Sequence, residues 1–278
     1  LDIVMKEAVS ISGALTGWEV TPWLSPDLPG SDTPVSASMS ISKADTFQSY
    51  FFNTDQDGIF ETLVVPELDY IMRITPDSAG SVFTTMMVDV EQGENVVLDI
   101  ALAYGHTLWG QVVNPNGKGM EDVGVYAEDK DGHRGQTVYT NSNGYFSLRV
   151  MPGDYFLNTL GRTVAYGRDP VLRAEVNVAE DADQRFDFTY RSLASYSVGG
   201  RVVDISGDGL EGVSVQFISQ HLDGYEEDNV DAKTDVTVLT NTFGNYDTRL
   251  ASGQYEMWIL PPNDTPNTAY WSGDIVVT

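Results

Sequence analysis

A short acidic turn is the clearest candidate for a chemical site in this sequence. In the stretch NTDQDGIFE, Asn53, Asp55 and Asp57 alternate with other residues and Gly58 follows, as in the first positions of an oxygen-ligand calcium loop. The twelfth position of such a loop carries a bidentate acid, but here it is Val64. The matching stretches TNSNG and TNTFG later in the chain are ordinary turns. A plain turn and a calcium site therefore both stay open, and calcium is the one cofactor that the sequence suggests.

Other acidic loops repeat parts of this pattern without completing it. Asp129 with Asp131, and Asp204 with Asp208, are weaker examples of the same kind. The longest acidic loop, HLDGYEEDNVDAKTD at residues 221–235, is expected to be solvated or to respond to cations.

The residue types that enzymes use are present but do not form a recognisable constellation. His106, His133 and His221 lie far apart in the sequence, whereas a hydrolytic zinc site needs two or three closely spaced ligands and an open position. The sequence has no G-x-S-x-G elbow, phosphate-binding glycine loop or dinucleotide fingerprint. Paired carboxylates are too common in so acidic a chain to single out an acid–base couple. We therefore predict that the protein is not an enzyme and has no catalytic residues.

A long connection near the start of the chain, GWEVTPWLSPDLPGSDTP, carries the most prominent aromatic residues. Trp18 and Trp23 lie there among prolines, with no basic residue nearby. Aromatic side chains bury a large area at a low entropic cost, which suits them to contact surfaces. Three roles stay open for them: covering the protein's own sheet edge, contacting a partner protein, or contacting a surface glycan.

Composition excludes several classes of partner. Forty-one acidic and fifteen basic residues give a formal net charge of −26 at pH 7, which repels nucleic acid and anionic lipid. The absence of cysteine rules out disulfides and thiolate metal sites. No apolar run approaches the length of a membrane span. We expect neither a nucleic-acid partner nor membrane insertion.

The chain repeats one pattern three times, with a period of about 90 to 100 residues. Copy 2 reads TNSNGYFSLRVMPGDYFLNTL and copy 3 reads TNTFGNYDTRLASGQYEMWIL, with the same spacing from Gly144 to Gly153 as from Gly244 to Gly253. Copy 1, TDQDGIFETLVVPELDYIMRI, is looser, because Leu68 takes the place of the second glycine and the spacing grows by one residue. The pattern indicates a tandem array of small domains.

Each copy is predicted to consist of β-strands. Apolar and polar residues alternate within short runs, and turns such as NPNG, PGD and SGDG separate the runs. Roughly seven strands per copy at this spacing are typical of an antiparallel β-sandwich. We predict an all-β protein with an N-terminal strand at residues 1–7 and sandwiches at residues 8–104, 105–192 and 193–278.

Copies 2 and 3 resemble the carboxypeptidase regulatory-like family, whose domains are transthyretin-like or CnaB-like sandwiches. The resemblance is carried by GQVVNPNGKGMEDVGVYAE with TNSNGYFSLRVMPGDYF, and by GRVVDISGDGLEGVSVQFIS with TNTFGNYDTRLASGQYE. It implies seven-stranded, immunoglobulin-like sandwiches on a secreted or cell-surface protein of a bacterium or archaeon. It implies no peptidase activity, since such domains serve as spacers, adhesive modules or accessory domains.

The two ends of the chain suggest how molecules could join. Copies 1 and 2 finish with a closing strand, NVVLDIAL and QRFDFTY, whereas copy 3 stops after WSGDIVVT and the chain begins with LDIVMKE. Either the chain is an excerpt of a longer array, or the N-terminal strand of one subunit completes the last domain of the next. The second alternative predicts assembly residues on the donor strand and at an acceptor edge: Leu1, Ile3 and Met5 on one donor face, Val4 on the other, and Ile275 and Val277 at the edge.

The function expected from these features is structural. The chain would be a subunit of an extracellular surface filament or fibre assembled head-to-tail by β-strand complementation, or a stalk segment of an adhesin. Its partner would then be another copy of itself, or the neighbouring domains of a longer array. The alternative is a carbohydrate-binding accessory module of a secreted multidomain protein, with Trp18 and Trp23 in contact with a glycan.

Overall fold

The protein is built from β-strands throughout the part of the chain that the structure describes. This computed structural model describes residues 7–17, 33–43, 48–77, 81–161, 163–164, 167–179, 182–225, 230–262 and 270–278. These residues form strands β1 to β25 and contain no helix, which confirms the predicted all-β class. None of the described segments is therefore a helix with the length and hydropathy needed to cross a membrane.

The first eight strands pair among themselves and are called unit 1. Their bounds are β1 (Val9–Gly17), β2 (Thr33–Pro34), β3 (Ala37–Ser42), β4 (Ser49–Asn53), β5 (Ile59–Val64), β6 (Glu67–Pro76), β7 (Thr84–Val90) and β8 (Val96–Ala101). In one sheet β1 lies between an antiparallel β5 and a parallel β8, and β2 pairs with the end of β1. The other sheet has the order β4-β3-β6-β7.

The next ten strands, called unit 2, repeat this arrangement. Their bounds are β9 (His106–Val113), β10 (Gly124–Asp129), β11 (Val138–Tyr139), β12 (Tyr145–Val150), β13 (Gly153–Thr159), β14 (Thr163–Val164), β15 (Gly167–Arg168), β16 (Val171–Val178), β17 (Gln184–Arg185) and β18 (Phe188–Thr189). Strand β9 lies between an antiparallel β12 and the parallel pair β17 and β18, as β1 does in unit 1. The second sheet contains β11-β10-β13-β16 in that order.

The last seven strands, called unit 3, repeat only part of it. Their bounds are β19 (Ser195–Arg201), β20 (Ser214–Leu222), β21 (Val230–Lys233), β22 (Asp235–Leu239), β23 (Asn245–Ala251), β24 (Gly253–Leu260) and β25 (Tyr270–Val277). One sheet has the order β22-β20-β24-β25, and the other consists of β19 and β23. Among the described residues, β19 therefore has one strand neighbour where β1 and β9 have neighbours on both sides.

Strand β21 leaves its own unit and joins the neighbouring one. It pairs antiparallel with β16, from Val171 opposite Lys233 to Ala174 opposite Val230, and becomes the fifth strand of the unit 2 sheet. The acidic loop that we expected to be solvated thus contains a strand, because Val230 and Ala232 face inward while Asp231 and Lys233 face solvent. The predicted boundaries at residues 8–104, 105–192 and 193–278 stay a prediction, since this pairing crosses the last of them.

The hydrophobic cores follow the same division. Unit 1 has its own core, around fully buried residues such as Ile11, Tyr70 and Ile74. The buried residues of units 2 and 3 form one continuous cluster, which contains both Leu172 of β16 and Phe217 of β20. Units 2 and 3 are therefore packed as one body, whereas the unit 1 core is separate.

The irregular spacing of copy 1 is accommodated by a β-bulge. The pairing of β6 with β7 shifts register between Glu67 and Tyr70, where the extra residue lies. Asp69 adopts a left-handed backbone with φ of 60°, and its N–H donates to the Asp89 carboxylate at 2.8 Å. A local bulge thus absorbs the additional residue and leaves the rest of the sheet in the common register.

Candidate functional site

Six turns of the described chain share one construction, and the calcium-like stretch is among them. In each, the side-chain oxygen of an Asp or Asn accepts the N–H groups two and four residues later, and a glycine in the left-handed region follows at the fourth position. Aspartate and asparagine therefore serve equally well as the first residue. The turns are DQDGI, NPNGK, DKDGH, NSNGY, DISGD and NTFGN.

The candidate calcium ligands of copy 1 divide between a strand and such a turn. Asn53 ends β4, while Asp55 and Asp57 lie in the turn that leads to β5. The Oδ1 atom of Asp55 accepts the N–H groups of Asp57 and Ile59 at 2.9 and 2.8 Å. One carboxylate oxygen of Asp55 is thus engaged in closing the turn, and calcium binding here stays a prediction.

A threonine directly before the turn holds each of the three repeated turns to its sandwich. The Thr140 hydroxyl donates to the Met120 carbonyl at 2.6 Å and accepts the Val123 N–H at 2.9 Å. Thr240 makes the corresponding pair of hydrogen bonds in unit 3, and Thr54 does so in unit 1. The beginning of the repeated motif is therefore an internal hydrogen-bonding position of the fold.

One cluster of side chains has a geometry compatible with a metal ion. In the DKDGH turn, ligand atoms of Asp129, Asp131 and His133 lie within 4.8 Å of one another, with Asp131 and His133 exposed. His133 Nδ1 lies 3.0 Å from Asp129 Oδ2. Asp129 also accepts two main-chain N–H groups of its own turn, so the turn alone accounts for much of this arrangement.

The repeated tyrosine has a structural role in units 1 and 3. The Tyr70 hydroxyl donates to the Val65 carbonyl at 2.8 Å, and the Tyr255 hydroxyl donates to the Ala251 carbonyl at 2.9 Å. Burial raises the pKa of both tyrosines to about 12, so both are protonated donors at neutral pH. These hydroxyls are therefore anchors of the fold and not groups poised for proton transfer.

A groove between units 1 and 2 concentrates basic side chains in this acidic chain. It has a volume of about 770 Å³, and Arg73, Arg134, Arg149 and His133 line it together with apolar residues of β7. The Arg134 guanidinium lies 3.8 Å from the ring centroid of Tyr126, which holds it in place. Asp129 lines the same groove, with its Oδ2 3.0 Å from His133 Nδ1, so an acidic side chain partly balances the basic ones there.

The predicted acceptor residues lie on the terminal edge strand of unit 3. Ile275 is half-buried and Val277 is 6% exposed, both on the inward face of β25, whereas Val276 faces outward. Strand β25 pairs with β24 as β16 pairs with β13 in unit 2. In units 1 and 2, however, the closing strand lies beside the first strand of the other sheet. The strand of unit 3 that corresponds to β1 and β9 is β19. The sequence analysis did not identify this strand as an assembly edge.

The remaining predicted contact residues lie outside the described part of the chain. They are the donor-strand residues and the two tryptophans of the long connection: Leu1, Ile3, Val4, Met5, Trp18 and Trp23.

The glycine of the first strand is the signal that could have identified β19. Gly13, Gly110 and Gly200 occupy the same register position, opposite Phe60, Phe146 and Tyr246 respectively. Val198 on β19 and Val202 directly after it correspond to buried residues of the other units, but both are only half-buried. Alignment of the three first strands brings these glycines together in the sequence.

The middle unit matches a known family. Residues 107–191 match the family model of the carboxypeptidase regulatory-like domain, which confirms the resemblance for this part of the chain. Halomucin of Haloquadratum walsbyi (strain DSM 16790 / HBSQ001) is 23% identical over 276 residues, which cover 96% of this chain. The chain spans about 3% of the length of that curated relative.

Comparison with solved structures gives matches of low identity and low TM-score. A streptococcal ancillary pilin is 14% identical, with 98% of this chain and 96% of that chain covered and a TM-score of 0.35. The major pilin subunit of Bacillus cereus is 11% identical, with the same coverage of both chains and a TM-score of 0.27. The TIE protein of Bacillus anthracis is 13% identical, with 98% of this chain but 48% of that chain covered and a TM-score of 0.27.

Proposed function

We propose that the chain is a non-enzymatic structural segment of an extracellular surface protein, joined end to end with further copies by β-strand addition to form a filament or fibre. The observation that carries this proposal is the pairing of β21 with β16, in which one unit supplies a strand to the sheet of the unit before it. Main-chain hydrogen bonds give such a junction its affinity, and alternating side chains give it specificity.

The junction between units 2 and 3 is apolar as well as hydrogen-bonded. Ala232 of β21 is 3% exposed and lies opposite Leu172, which is fully buried. Tyr225 reinforces the contact, because its hydroxyl accepts the Arg191 N–H at 2.9 Å. Units joined in this way hold a fixed orientation relative to each other, as a stalk or fibre requires.

The incomplete sheet of unit 3 favours continuation of the array. Strand β19 has β23 as its one neighbour in the described residues, whereas β1 and β9 each also pair with a closing strand. A strand supplied by another copy would make a head-to-tail contact, and such contacts form open filaments when their rotation does not close. The match to a short stretch of a much longer protein is in keeping with repeated units.

The experiment that tests this function compares the full chain with a chain that lacks residues 1–7. We expect the full chain to sediment as oligomers at high concentration and to appear as fibres in electron micrographs, and the shortened chain to remain monomeric. A full chain that stays monomeric, or a shortened chain that still assembles, would contradict the proposal. A monomer that binds an immobilised glycan, and loses that binding on Trp23→Ala, would favour the accessory-module alternative.

A further inference from the structure

Two of the six turns of common construction contain an asparagine directly before their glycine. They are NPNGK, with Asn116 and Gly117, and NSNGY, with Asn143 and Gly144. In such a pair the main-chain nitrogen of the glycine can attack the side-chain amide of the asparagine, because no side chain on the glycine hinders the approach. The same reaction is therefore available at two positions, and the fold decides which of them reacts.

Within their turns the two pairs are hydrogen-bonded alike. The Gly117 N–H donates to the Asn114 carbonyl at 2.9 Å, and the Gly144 N–H donates to the Asn141 carbonyl at 2.8 Å. The nitrogen that would attack is thus engaged in both turns, and the reaction requires the turn to open for a time. The rate at each pair therefore depends on what else holds the turn closed.

The turn around Asn143 is held by the body of unit 2. Gly144 is buried, and its carbonyl accepts the Val112 N–H at 2.8 Å. The Asn143 carbonyl accepts the side-chain amide of Gln111 at 2.8 Å. Thr140, directly before the turn, is fixed by its own two hydrogen bonds. Opening this turn therefore breaks contacts with β9 in addition to the hydrogen bonds of the turn itself.

The turn around Asn116 is exposed to solvent. Residues 115–118 are all exposed, and a side chain added at Gly117 would meet nothing within 4 Å. The main-chain N–H groups of Asn116 and Lys118 donate to Asn114 of the same turn. Because this turn can open without breaking the contacts that hold its counterpart, its opening free energy is the smaller of the two.

The other open turns lack the side-chain amide. Gly132 and Gly207 also have open space around them, but Asp131 and Ser206 precede them. A carboxylate is a poor electrophile, and a serine side chain has no carbonyl group. Among the six turns, Asn116–Gly117 thus combines a reactive amide with an open glycine.

We infer that Asn116 is a site of spontaneous deamidation, whereas Asn143 is protected from the same reaction by its contacts with β9. The Gly117 nitrogen attacks Cγ of Asn116, its proton passes to the leaving amide nitrogen, and ammonia departs, so that a five-membered succinimide ring forms. Water then adds to either carbonyl of the ring and breaks one of its two C–N bonds. The products are aspartate and isoaspartate, in which the main chain runs through the side-chain carboxyl carbon.

Both products place a carboxylate where the chain has a neutral amide, and isoaspartate also lengthens the main chain of the turn by one atom. Pro115 of the same turn lines a cavity of about 690 Å³ between units 2 and 3, together with Leu193 and Asp223. The reaction would therefore add negative charge beside this junction, irreversibly and as the chain ages. The inference goes beyond the proposed function, because it does not depend on assembly of the chain.

Incubation of the full chain at mildly alkaline pH, followed by proteolysis and mass spectrometry, tests this inference. We expect the peptide that contains Asn116 to convert to two separable products, each with the mass of an acid in place of an amide. Conversion at Asn116 should be roughly tenfold or more faster than at Asn143, the factor that about 1.4 kcal/mol of additional opening free energy gives. Equal rates at the two pairs, or no conversion at Asn116, would overturn the inference.

Two comparisons assign the difference in rate to the fold. In concentrated urea the two pairs should react at similar rates, and a difference that persisted there would come from the neighbouring residues and would contradict the inference. Gln111→Ala removes the hydrogen bond to the Asn143 carbonyl, so it should raise the rate at Asn143 several-fold and leave the rate at Asn116 unchanged. Circular dichroism checks that this variant folds. An unchanged rate at Asn143 in the folded variant would contradict the protection assigned to β9.

Discussion

At the scale of single residues, the first position of each of the six turns requires a side-chain oxygen that accepts hydrogen bonds, and it does not require a charge. Asp55 closes its turn with the same two hydrogen bonds that Asn141 and Asn241 make with an amide oxygen. The turns themselves can be predicted from Asn, Asp and Gly spacing. Their packing cannot, because it depends on which distant carbonyl lies against the glycine.

Two turn glycines should differ sharply in their tolerance of a side chain. Gly144 has φ of 82°, and an added Cβ would press on the Val112 carbonyl, whereas Gly117 has φ of 75° and open space around it. We expect Gly117→Ala to cost roughly 1 kcal/mol of unfolding free energy from backbone strain alone, and Gly144→Ala roughly 3 kcal/mol. Urea denaturation of the two variants measures the difference. Equal losses would contradict this account of the buried turn.

At the scale of elements, β21 is the strand that sequence reasoning did not find. Its four residues alternate correctly, but they lie within a conspicuously acidic loop, and four residues carry little periodic signal. The edge with which it pairs, β16, belongs to another unit and is identified only by the tertiary structure. By contrast, the strands on either side of the repeated glycine turns can be predicted from the sequence, because the turn residues and the alternation of apolar and polar residues are local features.

A charge placed on the inward face of β21 should separate units 2 and 3. Ala232→Glu would bury a carboxylate between the two sheets, so we expect the strand to detach and β16 to exchange its amide hydrogens much faster. Lys233→Gln changes the net charge by the same amount on the exposed face and should leave the exchange of β16 unchanged. Hydrogen exchange measured by mass spectrometry distinguishes the two. Protection of β16 that survives Ala232→Glu would show that the pairing contributes little.

At the scale of the whole molecule, the large negative charge makes the stability of the fold depend on salt. A net charge of −26 makes the folded chain repel itself wherever the charges are poorly screened. The Debye length falls from about 30 Å at 0.01 M salt to about 3 Å at 1 M. The composition alone therefore predicts that stability rises with salt concentration. A specific cation site would add a further stabilisation beyond the one that charge screening gives.

Thermal unfolding in salt tests both effects together. We expect the unfolding midpoint to rise by on the order of 5 °C between 0.01 M and 1 M NaCl, and to rise equally in KCl. An additional rise in CaCl₂ at matched ionic strength, lost in Asp57→Asn, would support calcium at Asn53 to Asp57. The substitution is a fair control because Asn143 takes the same place in the turn of unit 2. No additional rise leaves the stretch a plain turn.

The parallel pairing of first and closing strands has a mechanical consequence. In unit 1, six residues of β1 from Ile11 to Thr16 lie beside six residues of β8 from Val96 to Ala101, and both strands run in the same direction. The polypeptide thus enters a unit at one pole and leaves it at the other. Tension along the chain pulls these two strands past each other and strains all their hydrogen bonds at once, whereas an antiparallel pair would open one bond at a time. Units 1 and 2 therefore each carry a pair of strands that tension along the chain would load in shear.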